Sequence, residues 1–493
     1  MPFADLREYI EALKRRGELT VIGEPVSPVL EMTEIADRSV KTLPGGGPAL
    51  LFTNVTGHPG IPVLMNAFSS RARTLLALGV HSWEEWTERL EFFLEPKPPV
   101  GLIAKFKAIP KLTELASLFP KTEKSGLCQE VVLERDRIDL RDIPVITCWP
   151  GDGGPFITLP LVFTRDPVTR QHNVGMYRMQ IYDERTTGMH WQKHKDGAGH
   201  MRGYEKAGRR MEVAAVIGAD PAVTFSAIAP LPPAIPELAL AGFLRGESVS
   251  VVRCRTVDIE VPATAEYVLE GYVDPAERRR EGPFGDHTGY YSLDDEFPVF
   301  HVTCITHRKD PIYQTTIVGK PPMEDCYLGE AVERMFLPVL RRQFSEMVDM
   351  HLPWAGVFHN LMIVSIDKSY PGQARKVMHG IWGTGQMMFT KTILVVDSHV
   401  DIRNYSDVAF HLLNNIDPER DMEVVMGPID ELDHSSRQPC FGSKLGLDGT
   451  KKLPGEGFGR RWPDPIVMTE AVRTRVDGIW DRLGLGLRRS DPS

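Results

Sequence analysis

No CxxC pair occurs among the six cysteines of this chain (Cys128, Cys148, Cys254, Cys304, Cys326 and Cys440). Thiols scattered through 493 residues fit a reducing compartment better than a disulfide framework or a zinc site. Long apolar runs are missing as well. The most apolar region, roughly residues 213–244, is interrupted by Asp220, Glu237 and five prolines. That leaves no unbroken stretch of about 20 apolar residues to cross a bilayer. The opening Met-Pro-Phe-Ala-Asp-Leu-Arg lacks the basic segment and apolar run of a signal peptide, so a cytoplasmic protein is expected. Positive charge is not in excess either: 57 Lys and Arg against 66 Asp and Glu give a net charge of -9, which argues against a nucleic-acid partner. The chain has no internal repeat and no low-complexity tract.

The length exceeds what one hydrophobic core usually serves, so several domains are expected. Asp5 is a candidate N-cap for an amphipathic helix carrying Leu6, Tyr9, Ile10 and Leu13 on one face and stopped at Gly17. Strand-like runs at Ala49-Leu50-Leu51-Phe52 and Ile61-Pro62-Val63-Leu64 precede a helical stretch from about 69 to 93. The proline-rich Glu95-Pro96-Lys97-Pro98-Pro99 then reads as a linker. Residues 1–125 are therefore expected to form an N-terminal α/β domain. Short β-rich segments separated by Gly and Pro predict a largely antiparallel, barrel-like domain over 126–320. Helical periodicity returns after Pro321-Pro322, and Lys391-Thr392-Ile393-Leu394-Val395-Val396-Asp397 reads as a buried parallel strand, so 321–493 is expected to be a second α/β domain. Its tail carries Val472, Val476, Ile479 and Leu483 on one helical face, an apolar stripe that predicts a homo-oligomer, from dimer to hexamer, with the helix covering a second subunit.

Four places in the chain have residues suited to chemistry. Asn173-Val174-Gly175-Met176-Tyr177-Arg178-Met179-Gln180-Ile181 reads as one strand, with Arg178 and Gln180 on the face of Val174 and Met176. Arg178 there either makes an ordinary salt bridge or clamps a substrate carboxylate through two parallel hydrogen bonds. Strict alternation puts Asn173 on the opposite face, so the strand must begin after Asn173 or be bulged there. His190-Trp191-Gln192-Lys193-His194-Lys195-Asp196-Gly197 reads either as a polar loop or as a metal-binding helical turn with two histidines four apart. Glu237 reads as a helix-start carboxylate. In Glu281-Gly282-Pro283-Phe284-Gly285-Asp286-His287-Thr288-Gly289-Tyr290-Tyr291, two carboxylates flank a Gly-Pro-Phe-Gly turn. They form either a solvated turn or an acid/base pair, one carboxyl held neutral and the other ionised.

The last of these segments, together with the Asn173-to-Gln180 strand, closely resembles the UbiD decarboxylases. The resemblance extends along the chain through Asp5-Leu6-Arg7, Glu34-Ile35-Ala36-Asp37-Arg38, Ile146-Thr147-Cys148-Trp149-Pro150 and Gly442-Ser443-Lys444-Leu445-Gly446-Leu447-Asp448. These runs look like the bacterial branch that decarboxylates 3-polyprenyl-4-hydroxybenzoate for ubiquinone synthesis. The same chemistry on a naphthoate of menaquinone synthesis or on a phenolic acid, and a non-catalytic flavin-binding subunit, stand as alternatives.

The resemblance implies an α/β protein with a central split-barrel flavin-binding domain. It implies Arg178, Glu281 and Asp286 as catalytic residues, with Asp286 the proton donor; crowding by Glu281 and partial burial are expected to raise the Asp286 pKa, while pairing with Arg178 keeps Glu281 ionised. Asn173, His194 and Glu237 would bind Mn2+, with K+ a further candidate ion. Met176, Tyr177, Arg178, His190, Trp191, Gln192, Lys195, Asp196 and Lys391 would hold prenylated FMN. Such a cofactor is coherent with the reaction, because loss of carbon dioxide from an sp2 carbon leaves electrons that no side chain can store. The implied partners are an aromatic acid substrate and a flavin prenyltransferase, with peripheral membrane association if the substrate is polyprenylated.

Overall fold

The computed structural model describes residues 3–94, 118–231 and 235–484, and the expected linker at Glu95-Pro96-Lys97-Pro98-Pro99 lies outside the described residues. The chain divides into two compact units. The first runs to Val339 and takes in Trp354–Phe358 and Asp430–Cys440; the second comprises Leu340–Pro353, His359–Ile429 and the chain from Phe441 onward. The regions expected as separate N-terminal and central domains thus fall within the first unit.

In the first unit, the opening helix is Leu6–Arg15, and the Asp5 side chain accepts the Glu8 backbone N–H at 2.9 Å, as an N-cap should. Its face of Leu6, Tyr9, Ile10 and Leu13 is buried. A four-stranded sheet follows the order Leu19–Ile22, Ala49–Phe52, Val63–Met65, Tyr313–Gln314. The helical stretch expected from 69 to 93 is two helices, Arg71–Leu78 and Trp83–Leu94, because Gly79 adopts the left-handed conformation that terminates the first.

The main sheet of this unit is antiparallel and has seven strands. Its order is Thr186–Gly188, Asp295–His307, Tyr267–Glu281, Met211–Ile217, Leu161–Arg165, His172–Met176, with Val131–Glu134 also paired to Asp295–His307. Along Met211–Ile217 the sheet is buried on both faces from Val213 onward. In Met211–Ile217, Val213, Ala215 and Ile217 enter one apolar cluster while Ala214 and Val216 enter another, so the strand reads as a continuous hydrophobic run. Tyr267–Glu281 is 15 residues long, and its pairing with Asp295–His307 shifts register between Val273 and Arg278 before resuming up to Glu281 opposite Asp295. That shift sets where the strand delivers Glu281.

The second unit holds a five-stranded sheet in the order Met347–His351, Leu361–Ile366, Thr392–Asp397, Phe441–Asp448, Met422–Pro428. The three inner strands are parallel, with Thr392–Asp397 in the middle. The expected tail helix is shorter than its apolar stripe. It spans Glu470–Asp477, followed by a 3-10 turn at Trp480–Leu483, and none of these residues is buried. No helix among the described residues is long and apolar enough to cross a membrane.

Candidate active site

The strand expected over Asn173 to Ile181 is broken. His172–Met176 pairs with Leu161–Arg165, whereas Met179–Gln180 pairs with Phe156–Ile157 in a separate two-stranded ladder. The first ladder ends where Met176 meets Leu161, and the chain leaves it at Tyr177 and Arg178. This interruption replaces the expected late start or bulge at Asn173. Asn173 stays buried within the strand, and Arg178 is freed from the pleat to turn toward the Glu281 segment.

The Glu281 segment folds back as a small hairpin. Gly282, at φ +95°, follows the last strand residue, and Phe284–Gly285 pairs with Tyr291–Ser292. Gln180 holds the turn from outside, accepting the Gly282 N–H at 2.8 Å and donating to the Gly153 carbonyl at 2.7 Å. Asp152 accepts the Gly285 N–H at 2.8 Å together with those of Cys148 and Trp149, tying the hairpin to the Ile146-Thr147-Cys148-Trp149-Pro150 run.

Arg178 is the hub of the site. Its Nε donates to Glu281 Oε1 at 3.0 Å, one terminal nitrogen to Asp286 Oδ2 at 2.5 Å, and the other to Ser292 Oγ at 3.1 Å. The guanidinium also lies 4.4 Å from the centre of the Phe284 ring. Each carboxylate has a histidine as well. His190 Nδ1 is 2.9 Å from Glu281 Oε1, and His287 Nδ1 is 2.9 Å from Asp286 Oδ1, which the His287 backbone N–H also reaches at 2.8 Å. Glu281 and Asp286 are both buried.

These contacts reverse one electrostatic expectation. Burial pushes the Asp286 carboxyl up, but His287 and Arg178 outweigh it and hold the group well below the usual carboxylate range. Crowding by Glu281 was expected to raise it. The spacing of the two acids does not reveal that a cation sits between them and a histidine flanks each. Burial likewise pushes Glu281 up, and His190 and Arg178 bring it below its ordinary value. Both carboxylates are ionised, with Arg178 as their shared counter-ion.

Of the residues expected to hold a cofactor, His190 adjoins this hub through Glu281. Tyr177 and Trp191 are buried and meet edge to face at 6.5 Å, while Met176 and Gln192 are half-buried. His190 to His194 form an extended turn, and the helix begins only at Asp196, so His190 and His194 share no helical face. Burial lowers the Lys195 ammonium against the opposing pull of Asp430 and Asp196. Lys391 stands in the second unit, directly before Thr392–Asp397, where its backbone N–H donates to the His359 carbonyl.

Of the expected metal ligands, Glu237 lies against the strand that carries Asn173. Glu237 is the first residue of the helix Glu237–Arg245, as its helix-start reading required, and its carboxylate accepts the backbone N–H of Val174, next to Asn173. Burial pushes the Glu237 carboxyl up to about 7, with Asp196 adding repulsion. His194 lies exposed on the turn before Asp196. The sequence reading passed over His287, Ser292 and Asp152. His287 is adjacent to Asp286 in the quoted motif; the other two become visible only once the hairpin closes.

Residues 10–92, 120–321 and 326–449 match, respectively, the N-terminal, Rift-related and C-terminal domains of 3-octaprenyl-4-hydroxybenzoate carboxy-lyase. The chain belongs to the UbiD family of carboxy-lyases. An uncharacterized protein of Archaeoglobus fulgidus is 50% identical over 485 residues, covering 98% of this chain and 99% of that one. Another from Aquifex aeolicus is 46% identical over 484 residues, with 98% and 99% covered. Among solved structures, the vanillic acid decarboxylase of Sedimentibacter hydroxybenzoicus in closed form superposes with a TM-score of 0.86 at 27% identity, covering 97% of this chain and 99% of that one. The UbiD-class enzyme HmfF of Pelotomaculum thermopropionicum, in complex with FMN, gives 0.76 at 27% identity, with 95% and 98% covered. This UbiD-family chain is therefore a decarboxylase with the mixed α/β architecture of its relatives.

Proposed function

We propose that the chain removes carbon dioxide from an aromatic or α,β-unsaturated carboxylic acid, using prenylated FMN and a divalent cation, with Arg178, Glu281 and Asp286 at the reacting centre. The observation that carries this reading is the Arg178 guanidinium held between two buried carboxylates. Three of its five N–H donors serve Glu281, Asp286 and Ser292, which leaves donors for a substrate carboxylate.

The surrounding residues fit a bound polar group. The side-chain atoms Asn173 Nδ2, His190 Nε2, Trp191 Nε1 and Glu281 Oε2 are buried without a hydrogen-bond partner among the described residues. Buried polar atoms are nearly always satisfied, so these four favour a ligand with its own donors and acceptors. Tyr177, Trp191, Gln192, Lys195 and Asp196 would hold the flavin. Prenylated FMN would supply a sink for the electron pair left on the sp2 carbon when carbon dioxide departs. Arg178 orients the substrate carboxylate, Glu281 fixes Arg178 in register, and Asp286 carries the proton that replaces the lost carboxyl group.

Asn173, His194 and Glu237 would hold the cation, manganese being suited to amide, imidazole and carboxylate ligands. A half-buried Glu237 carboxyl, raised by burial with Asp196 adding repulsion, supports a cation there. Glu237→Ala is expected to lose both manganese and flavin, read as metal content and flavin absorbance of the purified protein. Full flavin occupancy without manganese in that variant would overturn the ligand assignment.

The family's description makes 3-polyprenyl-4-hydroxybenzoate the first substrate to test. A polyprenylated substrate would bring the protein to the membrane surface. The likeness to a vanillic acid decarboxylase favours a second reading, a free phenolic acid. Protein made in the cytoplasm alongside a flavin prenyltransferase is to be offered both acids, together with a naphthoate, and carbon dioxide release measured. Release from at least one acid is the expected result, and no release from any by flavin-loaded protein would refute the reading.

The oligomer is proposed to form through the tail. Val472 is 42% and Leu483 46% exposed, and an uncovered apolar stripe of this kind favours a second subunit as its cover. Truncation after Pro465 is expected to give monomers by light scattering; an intact oligomer would place the contact elsewhere.

A further inference from the structure

The site's proton accounting points to residues beyond the Arg178 hub. Each turnover must place one proton on carbon, yet Asp286 is an ionised carboxylate held by Arg178 and His287. It has to be charged with a proton from a neighbour. An ionised carboxylate only accepts hydrogen bonds, so the His287 Nδ1 at 2.9 Å from Asp286 Oδ1 is the donor and carries a hydrogen. The backbone N–H of His287 reaches the same oxygen at 2.8 Å, which fixes the carboxylate against this residue, and the imidazole lies 5.6 Å from the Phe358 ring.

A further carboxylate within reach of this pair's charge is Asp325, in the first turn of the helix Glu324–Gln343. Its Oδ1 is buried with no hydrogen-bond partner among the described residues. Asp325 and His287 each feel the other's charge.

We propose that His287 and Asp325 form with Asp286 a buried proton-supply line, in which His287 passes its Nδ1 proton to Asp286 and Asp325 keeps the imidazole protonated. This rests on the decarboxylase reading above and adds the source of its proton. When a substrate carboxylate engages Arg178, its negative charge weakens the hold on Asp286 and raises that group's proton affinity. The His287 proton then crosses the 2.9 Å contact. As the bond to the departing carbon dioxide breaks, its electron pair stays with the substrate carbon. The Asp286 proton forms the new C–H bond there, Asp286 returns to carboxylate, and His287 recovers one proton from solvent. One proton is consumed for each carbon dioxide released. Both residues act through Asp286, so they are positioning and proton-supplying groups.

The electrostatics agree in direction. Burial pulls His287 down, but Asp286, Asp325 and Asp430 together raise it above the ordinary imidazole value. Burial pushes Asp325 up to about 7, opposed by His287 and Cys326 and reinforced by Asp286. The coupling runs through charge: an ionised Asp325 favours the imidazolium, and the imidazolium favours the ionised Asp325.

Asp325→Asn removes one of these charges at constant shape. In the full chain with imidazole-labelled histidine, His287 (assigned by its loss in His287→Gln) is expected to titrate above an ordinary histidine. Asp325→Asn should move that titration down by roughly one pH unit, and Asp325→Glu should restore it. In the flavin-loaded enzyme, the alkaline limb of the kcat profile should shift down by the same interval. The imidazole titration needs no turnover, so it tests the pair even if no substrate is found. An unmoved His287 titration in Asp325→Asn refutes the pair, and a moved titration with an unmoved alkaline limb refutes the supply line while leaving the decarboxylase reading intact.

Discussion

Asp286→Asn is expected to lower turnover by about 10²- to 10⁴-fold, the usual loss for a missing general acid, while flavin and substrate still bind. Asparagine keeps the outline of the side chain but has no transferable proton. It also has one acceptor oxygen where the carboxylate has two. Arg178 and the His287 pair of N–H groups both demand an acceptor, so the amide can satisfy only one of them. The deficit should appear in kcat, with a smaller change in KM, and single-turnover measurement separates the two. Near-normal turnover in this variant would move the acid to another group, with Glu281 the first to test.

Arg178→Ala is expected to abolish activity and to cost about 3–5 kcal/mol of stability near neutral pH, as happens when one partner of a buried ion pair is removed. Glu281 and Asp286 would be left buried with only the His190 and His287 contacts to hold them. The sign of the pH dependence follows. Both carboxyls have depressed folded-state pKa values, so in the parent they add stability above the ordinary carboxylate range, and that stability is lost as pH falls through their folded values. The variant lacks most of this contribution. The stability gap should therefore be widest near pH 7 and narrow as pH falls through the ordinary carboxylate range. Denaturant unfolding across that range measures it, and a gap independent of pH would show that lost packing against Phe284 dominates. Arg178→Lys should recover part of the stability but little activity, because an ammonium cannot replace a fork that serves three acceptors.

Local patterns in the sequence were strong where one physical effect dominates. The Asp5 cap with Leu6, Tyr9, Ile10 and Leu13 predicts the first helix because capping and burial agree. The Lys391-to-Asp397 run predicts an inner parallel strand because both of its faces must be apolar. The Arg178, Glu281 and Asp286 constellation was legible only through family resemblance, since contacts 103 and 108 residues apart in sequence leave no local signature. Periodicity failed at Tyr177, where a strand that alternates correctly simply runs out of partner. It failed again at Gly79, whose left-handed conformation splits an otherwise helical stretch. The protonation state of Asp286 was misread for a related reason. Spacing reported the neighbouring acid at position 281, while the charges that decide the matter arrive from Arg178 on another ladder and from the folded-back His287.

The most direct test of the account is turnover of the parent, flavin-loaded protein in deuterium oxide with an acid that it accepts. One deuterium should appear in each product molecule, at the carbon that carried the carboxyl group, in step with carbon dioxide release, and Asp286→Asn should suppress both together. Carbon dioxide release that continues undiminished in Asp286→Asn, with deuterium still delivered to that carbon, would contradict it.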